Sequence, residues 1–510
     1  MQSSTIADQA SPKSRPKNSI QTRDGLHIVL PATKSNVHMC KTLLSMAILD
    51  YPKPNIVAWG ADDAQGNLIG GGSHYAKITG TLNYINDEKR RQKDGFDNEL
   101  VFMLDAYDIW FQLPVEVLLQ RYYNIIDEEN KRVEHRMGRA YGLEHIEPSI
   151  VFGGGKRCAP NFIYTLACYP IPDSPISKGI RHQNTDTAMG RNQWSSFRTR
   201  YLNSGYIIGP IGKMRPLLER AKERLDECIN REGVAWDDGY GGSNKCYSGS
   251  DQSIFVELFG EQEFQREVMR RHHRRFYDSL LDRVISGRAG ANPPPTQIMN
   301  TPILDLLNPA FSHQAKEAEY SAKHVSEMGI AIDYWSLLGH QTSNAEDDAR
   351  YIRYNKPIDE QIGQQNRFDC IPKTRFPPEL EGGNIPLPNQ QPGTWSDIPL
   401  YTEICVGSTP VMIHHNSMDK SQREKQWDKT WWHGQSRKLF NHRNETASAL
   451  LDGGIPSDAG ASLSWAELCP RDIEPELFRD ISKEEIERGK PTKDKGLMDK
   501  LLGTWNSRNS

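Results

Sequence analysis

Leu100-Val101-Phe102-Met103-Leu104-Asp105-Ala106-Tyr107-Asp108-Ile109-Trp110-Phe111 is the stretch that decides the fold of this chain. Five apolar residues run without a break into two carboxylates, Asp105 and Asp108. A continuous apolar run of this length is typical of a strand buried on both faces in a parallel sheet. Open α/β sheets bind ligands at the carboxyl ends of their strands. The pattern therefore predicts a buried strand that ends in a charged site.

The residues before this strand predict a β-α-β opening. Residues 26–33 have the pattern of a strand, 36–49 that of a helix, and 55–60 that of a second strand. Further strands are expected at 148–153 and 201–209. This order favours an α/β fold with a parallel, nucleotide-binding type of sheet.

The chain has 510 residues, with 62 Lys and Arg against 66 Asp and Glu, and thus a formal net charge of −4. This balance gives no electrostatic argument for a nucleic-acid partner. No apolar run approaches the roughly 18 residues of a membrane span, and residues 1–24 lack the apolar segment of a signal peptide. We therefore expect no membrane span in this chain, and the sequence carries no clear address to a compartment.

Composition also divides the chain. Residues 1–24 are predicted to be a disordered leader and 25–420 a single domain, with loop insertions at about 285–325 and 376–396. Residues 421–510 are charged and rich in Trp, and are predicted to form a peripheral helical and polar extension. The cysteines are widely scattered, so they permit disulfides without specifying them.

The two carboxylates at the strand end indicate a cation. Asp105 and Asp108 repel each other outside bulk water unless a cation or a shared proton relieves them. A hard divalent metal that carries phosphate oxygens meets this need. The glycines at 70–72, followed by Lys77, are typical of a loop that brings backbone amides to phosphate, and equally of a flexible turn.

Several short motifs, taken in order, resemble the glycosyltransferase domain of the procollagen lysyl hydroxylase and collagen glycosyltransferase family. The likeness spans roughly residues 24–420. The resemblance implies a GT-A fold, which is a Rossmann-like fold with a mixed central sheet flanked by helices. The matching stretches are Gly70-Gly71-Gly72 with Lys77, Asp105-Ala106-Tyr107-Asp108, Leu202-Asn203-Ser204-Gly205, Ser250-Asp251-Gln252 and Pro410-Val411-Met412-Ile413-His414.

What this resemblance implies is transfer of a hexose from a UDP-sugar with Mn²⁺, or Mg²⁺ in its place, to a glycan or protein acceptor. The metal ligands of the family map onto Asp105, Asp108 and His414, and carboxylates with one imidazole suit Mn²⁺. The resemblance places Thr33, Lys77, Asp105 and Tyr107 near the nucleotide. It also implies the lumen of the endoplasmic reticulum or Golgi as the compartment.

Two further residues match positions that face the donor sugar or the acceptor in that family, and they are the predicted catalytic residues. Asn203 is one. Asp251 is the candidate base for the acceptor hydroxyl in an inverting reaction. Ser250-Asp251 before an apolar helical run is equally an ordinary helix N-cap signal.

The sequence departs from the family at two points. Ala159 stands where the family has a tryptophan, so an altered sugar or acceptor pocket is expected. Residues 245–249 replace an acidic run, which argues against collagen hydroxylysine as the acceptor. Two alternatives stay open: a catalytically inactive module that binds a sugar nucleotide, and a metal-dependent phosphatase or nucleotidyltransferase. The haloacid-type phosphatase motif spaces its aspartates by one residue, whereas two residues separate Asp105 from Asp108.

Overall fold

The computed structural model describes residues 23–61, 72–161, 163, 165–188, 192–229, 250–273, 327–362, 370–383, 385, 393–417, 419–445 and 453–478. Of the predicted leader, residues 1–22 lie outside this part of the chain, as do the whole predicted insertion at 285–325, the stretch at 245–249 and two of the three glycines at 70–72. Within the predicted insertion at 376–396, the described residues include two short 3₁₀ helices, Pro378–Leu380 and Trp395–Asp397.

The described residues form an α/β structure in which helices flank a mixed sheet. The strands are β1 (Leu26–Pro31), β2 (Asn55–Val57), β3 (Leu100–Leu104), β4 (Ile109–Phe111), β5 (Ile150–Gly155), β6 (Tyr201–Pro210), β7 (Ile330–Asp333), β8 (Gly339–Gln341), β9 (Ala349–Ile352), β10 (Leu400–Glu403), β11 (Met412–His414), β12 (Ile455–Pro456) and β13 (Ser462–Leu463). The helices are α1 (Val37–Ile48), α2 (Gly72–Asn86), α3 (Glu88–Arg91), α4 (Val115–Met137), α5 (Arg139–Leu143), α6 (Ile211–Ile229), α7 (Asp251–His272), α8 (Ile358–Ile362), α9 (Lys420–Trp427), α10 (Ser436–Glu445), α11 (Trp465–Leu468) and α12 (Glu474–Leu477).

The central sheet has six strands in the order β2-β1-β3-β6-β5-β7. The strands β2, β1 and β3 run parallel, as do β5 and β7, while β6 is antiparallel to both of its neighbours. The predicted α/β class and mixed central sheet are thus confirmed and are compatible with a Rossmann-like fold, whereas the parallel sheet favoured by the order of the elements is corrected by the antiparallel β6. The predicted first helix begins after its cap Asn36, whose side chain accepts from the amides of His38 and Met39.

The apolar run quoted above is the strand it was predicted to be. All five residues of β3 are buried, and alternate residues face opposite sides of the sheet. Leu100, Phe102 and Leu104 pack in one core cluster with α1 and α4, while Val101 and Met103 pack in the other with α2, α6 and α7. Burial on both faces explains why the run contains no polar residue.

A second, smaller sheet brings a late segment to the end of β3. In it β11 lies between β4 and β8, antiparallel to β4 and parallel to β8. His414 on β11 is the register partner of Ile109 on β4 and of Gln341 on β8. This pairing places a residue more than 300 positions away beside Asp105 and Asp108.

The segment after residue 420 is not peripheral over its described part, which corrects that expectation. Trp427 and Trp432 are buried, and the indole of Trp432 donates to the carbonyl of Phe111 on β4. A disulfide joins Cys469 to Cys40 on α1. Two further disulfides lie within the described residues, Cys158–Cys168 and Cys370–Cys405. Helices that could cross a membrane, by length and apolar character, are absent from the described residues.

Candidate metal and nucleotide site

Three side chains converge at the carboxyl end of β3. One ligand atom from each of Asp105, Asp108 and His414 lies within 4.8 Å of the other two. His414 Nε2 is 3.5 Å from Asp105 Oδ2 and 3.6 Å from Asp108 Oδ1. These separations exceed good hydrogen bonds and approach the ~3 Å that adjacent ligands keep around an octahedral ion. The structure thus brings together the three residues predicted as metal ligands, and their oxygen and nitrogen donors fit a divalent ion.

The position of His414 depends on a glycine. A Cβ added to Gly205 on β6 would lie 2.0 Å from Cε1 of the His414 ring, so only glycine leaves space for the imidazole. The histidine is buried, whereas the side chain of Asp105 is 34 % exposed, so an ion here is reached from the aspartate side. Burial alone lowers the pKa of His414, but the carboxylates of Asp108 and Asp105 outweigh it and raise that pKa to about 9. The site therefore favours positive charge.

Lys77 lies behind the carboxylates. Its ammonium is 2.7 Å from Asp105 Oδ1, 2.8 Å from Asp251 Oδ2 and 2.8 Å from the carbonyl of Ser204. An ammonium has three N–H donors, and these three contacts match that number. Burial opposes the charge, but the two aspartates raise the pKa of Lys77 above its ordinary value. In this arrangement Lys77 holds a predicted metal ligand, and the predicted contact with nucleotide stays a prediction.

The two residues predicted to be catalytic lie next to this ion pair, and both are engaged. Asp251 is buried at the first turn of α7, where it pairs with Lys77 and accepts from the hydroxyl of Ser204. Ser250 is the N-cap of α7, as the alternative interpretation of that motif predicted. Asn203 on β6 accepts from the amide of Gly205. A catalytic role for either residue stays a prediction.

The remaining predicted nucleotide contacts lie on the loops after β1 and β3. Thr33 is half-buried, and its carbonyl accepts from the amide of Gly60 at 2.8 Å. The hydroxyl of Tyr107, between the two aspartates, donates to the carbonyl of Lys34 at 2.7 Å. These contacts join the loops that follow β1, β2 and β3 into one edge beside the metal ligands. Direct contact of Thr33 or Tyr107 with a nucleotide stays a prediction.

A small cavity of about 30 Å³ lies at the carboxyl ends of β5 and β7. Gln341, the register partner of His414, lines it, and its buried Oε1 has no hydrogen-bond partner among the residues that the structure describes. Asp348 pairs there with Lys156 and with Arg181 at 2.5 and 2.6 Å. Burial opposes ionisation of Asp348, but the two cations lower its pKa to about 2. Burial and the neighbouring Asp348 raise the pKa of Glu403, which also lines the pocket, to about 7.

Sequence reasoning missed several residues that shape this region. Gln252 accepts from the amide of Ser204 and donates to the carbonyls of Leu202 and Ala159, so it fixes β6 beside the metal ligands. It stands in a matched motif, yet a glutamine at a helix start carries no chemical signal of its own. Two further residues that sequence reasoning missed are Arg423 and Asp458. Their hydrogen-bond partners, Tyr107 and Ala58, are hundreds of residues away in the sequence, so no local pattern predicts these contacts.

No protein-family model matches this chain, and no curated protein matches it. The fold and the site therefore define only the class of protein to which this chain belongs. It is an α/β protein with a mixed six-stranded sheet, and it has a group of two carboxylates and one imidazole that could hold a metal ion at a strand end.

Proposed function

We propose that this protein is a glycosyltransferase that transfers a hexose from a UDP-sugar, with Mn²⁺ or Mg²⁺ bound by Asp105, Asp108 and His414. The observation that carries the proposal is the convergence of these three residues at the carboxyl end of β3. Such an edge is where α/β sheets bind their ligands. A metal bound here would act as a Lewis acid and stabilise the negative charge on the departing diphosphate.

The residues of the chain have separate tasks in this proposal. Lys77 holds Asp105 through Oδ1, which leaves Oδ2 on the His414 side. The joined loops after β1, β2 and β3 form the wall for the nucleotide. The acceptor side of this proposal lies beside Gln341, where Asp348 is already paired with Lys156 and Arg181, and these paired charges suit a neutral hydroxyl-bearing molecule better than a strongly charged one.

The test is release of UDP from a panel of UDP-sugars, with and without Mn²⁺. Intact protein is compared with Asp108→Ala and His414→Ala. Asp94→Ala is the matched control, because Asp94 is an exposed carboxylate in the loop that leads to the opposite end of β3. We expect metal-dependent release from the intact protein and the control, and none from the two site variants.

Other results would point elsewhere. Metal-dependent UDP binding without release from any donor, even with candidate acceptors added, would favour a binding module. Metal-dependent hydrolysis of a simple phosphate monoester would favour a phosphatase. Absence of any Mn²⁺-dependent UDP binding would remove the transferase assignment.

A further inference from the structure

The described residues 419–445 and 453–478, which we name the C-terminal clamp, are fixed to the body of the domain. Trp427 and Trp432 are buried, and the indole of Trp431 donates to the carbonyl of Gln112 at 2.8 Å. The disulfide Cys40–Cys469 ties the clamp to α1. The clamp therefore has a defined position relative to the loops at the end of the sheet.

The clamp contacts the loop that follows β1. The hydroxyl of Ser35 donates to the carbonyl of Leu468, one residue before the cysteine of the disulfide. Ser35 is two residues from Thr33, which lies in the same loop. This loop is thus held at its far end by the clamp.

The clamp holds the loop after β2 through one carboxylate. Asp458 accepts from the amides of Ala58 and Trp59 at 2.5 and 3.1 Å, and its own amide donates to the carbonyl of Ile56 at 3.0 Å. Ala58 has a φ of 65°, in the left-handed region that costs a non-glycine residue energy. The paired acceptors of Asp458 stabilise that conformation. Two consecutive amides bound by one carboxylate make this a specific anchor.

The clamp also contacts the loop of the metal ligands. Arg423 donates from Nη1 to the carbonyl of Tyr107 at 3.0 Å and from Nη2 to His38 at 2.7 Å. The hydroxyl of Tyr107 in turn donates to the carbonyl of Lys34. All three loops that form the edge beside the metal ligands are therefore bonded to the same segment.

We propose that the C-terminal clamp sets the affinity for nucleotide, with Asp458 as the positioning residue for the loop after β2. This inference rests on the proposed function, since it concerns the nucleotide wall of that site. A loop held in its binding conformation before the ligand arrives loses less entropy on binding. Asp458 is 400 positions from Ala58 and 399 from Trp59, and it binds the backbone amides of both residues.

The experiment measures UDP affinity of the full chain by calorimetry at saturating Mn²⁺, and Mn²⁺ affinity separately by electron paramagnetic resonance. The main variant is Asp458→Ala, which removes both acceptors. We expect the Kd for UDP to rise about tenfold as the loop loses its preorganised state. We expect the Kd for Mn²⁺ to stay unchanged, because the contacts described for Asp458 go to the β2 strand and its loop. If Asp458 served only the stability of the fold, Asp458→Ala would have a lower unfolding temperature and unchanged Kd values for UDP and Mn²⁺.

Asp472→Ala is the matched control, since Asp472 is an exposed carboxylate elsewhere in the clamp. Arg423→Gln is a second variant, which loosens the loop at Tyr107 and is also expected to weaken UDP binding. Equal UDP affinity in intact protein, Asp458→Ala and Arg423→Gln would overturn the clamp proposal and leave the proposed function standing. Failure of the intact protein to bind UDP with Mn²⁺ would overturn both.

Discussion

The ammonium of Lys77 lies 2.7 Å from Oδ1 of Asp105, and the other oxygen of that carboxylate, Oδ2, is the one near His414. One oxygen is thus bound to a cation of the protein, and its partner lies on the side of the candidate metal site. A carboxylate held in this way keeps its orientation before any metal arrives. The same ammonium pairs with Asp251 at the first turn of α7, so a single lysine holds an acidic group from the end of β3 and one from the start of α7.

Replacing Lys77 by Met should destabilise the fold. The change breaks the ion pair of Lys77 with Asp251, which is buried, and breaking a buried ion pair by removing one partner costs about 3–5 kcal/mol. Urea denaturation of Lys77→Met measures this loss, with the exposed Lys89→Met on α3 as control. Added Mn²⁺ should restore part of the stability, because a divalent ion bound by Asp105 and Asp108 replaces the positive charge lost beside Asp105. Equal stability of both variants would contradict this account of Lys77.

Replacing Gly205 by Ala should damage metal binding with the sheet intact. The new Cβ would lie 2.0 Å from the His414 ring, so the imidazole must move away from Asp105 and Asp108. We expect Mn²⁺ affinity to fall by about tenfold or more, as a displaced ligand requires. Titration followed by electron paramagnetic resonance measures it. Gly142→Ala on α5 is the control, because its added Cβ meets nothing within 4 Å. Unchanged Mn²⁺ affinity in Gly205→Ala would remove His414 from the ligand set.

Removing the disulfide between α1 and the clamp should lower stability more than removing a short one. Cys40 and Cys469 are 429 residues apart, whereas Cys158 and Cys168 are 10 apart. A cross-link stabilises roughly in proportion to the logarithm of the loop it closes, within a typical range of about 2–5 kcal/mol. Paired Cys→Ser variants of each disulfide are compared by urea denaturation, after non-reducing peptide mapping establishes the pairs. A larger loss of stability on removing Cys158–Cys168 than on removing Cys40–Cys469 would contradict this prediction.

The local sequence pattern was sufficient to predict the strand β3 and the two carboxylates that follow it, Asp105 and Asp108. A strand that is buried on both faces has an unbroken apolar sequence, which makes it recognisable. The carboxylates that follow this run indicate the edge of the sheet where a ligand binds. The opening β1-α1-β2 unit was predicted for the same reason. The histidine at 414 was named only through the family resemblance, because nothing near Pro410–His414 shows which strand it will pair with.

The contacts that hold the site were beyond sequence reasoning. The pairing of Lys77 with both Asp105 and Asp251 joins α2, β3 and α7, and a lysine in a helix has no local signature of such burial. The clamp was predicted to be peripheral because its composition is polar. Its tryptophans, among them Trp427 and Trp432, supply the buried surface instead. A polar average thus concealed a small number of large apolar anchors.

Docking of the clamp on α1 should weaken in acid because of His38. This residue accepts from Arg423 through Nε2, which requires the neutral ring, and burial together with Arg423 lowers its pKa to about 4. Glu424 and Asp108 raise that pKa, and Lys41 lowers it. The folded pKa lies below the unfolded value of about 6.5. Between pH 6.5 and pH 4, approximately, the folded state therefore binds fewer protons than the unfolded state. The contribution of His38 to the stability of the fold is fully present above about pH 6.5 and decreases as the pH falls toward about 4.

The variant His38→Gln should remove that dependence. In the intact protein we expect the free energy of unfolding to fall by on the order of 1–2 kcal/mol between about pH 7 and about pH 4.5 on account of His38, discounted because the ring is half-buried. Burial also lowers the pKa values of His340 and His415. These two histidines therefore contribute to the pH dependence of the free energy of unfolding with the same sign in the intact protein and in His38→Gln. The difference in slope between intact protein and His38→Gln, from urea denaturation, therefore isolates His38. His135→Gln, at an exposed position of α4, should keep the slope of the intact protein. Parallel curves for intact protein and His38→Gln would show that the contact with Arg423 does not depend on the neutral ring.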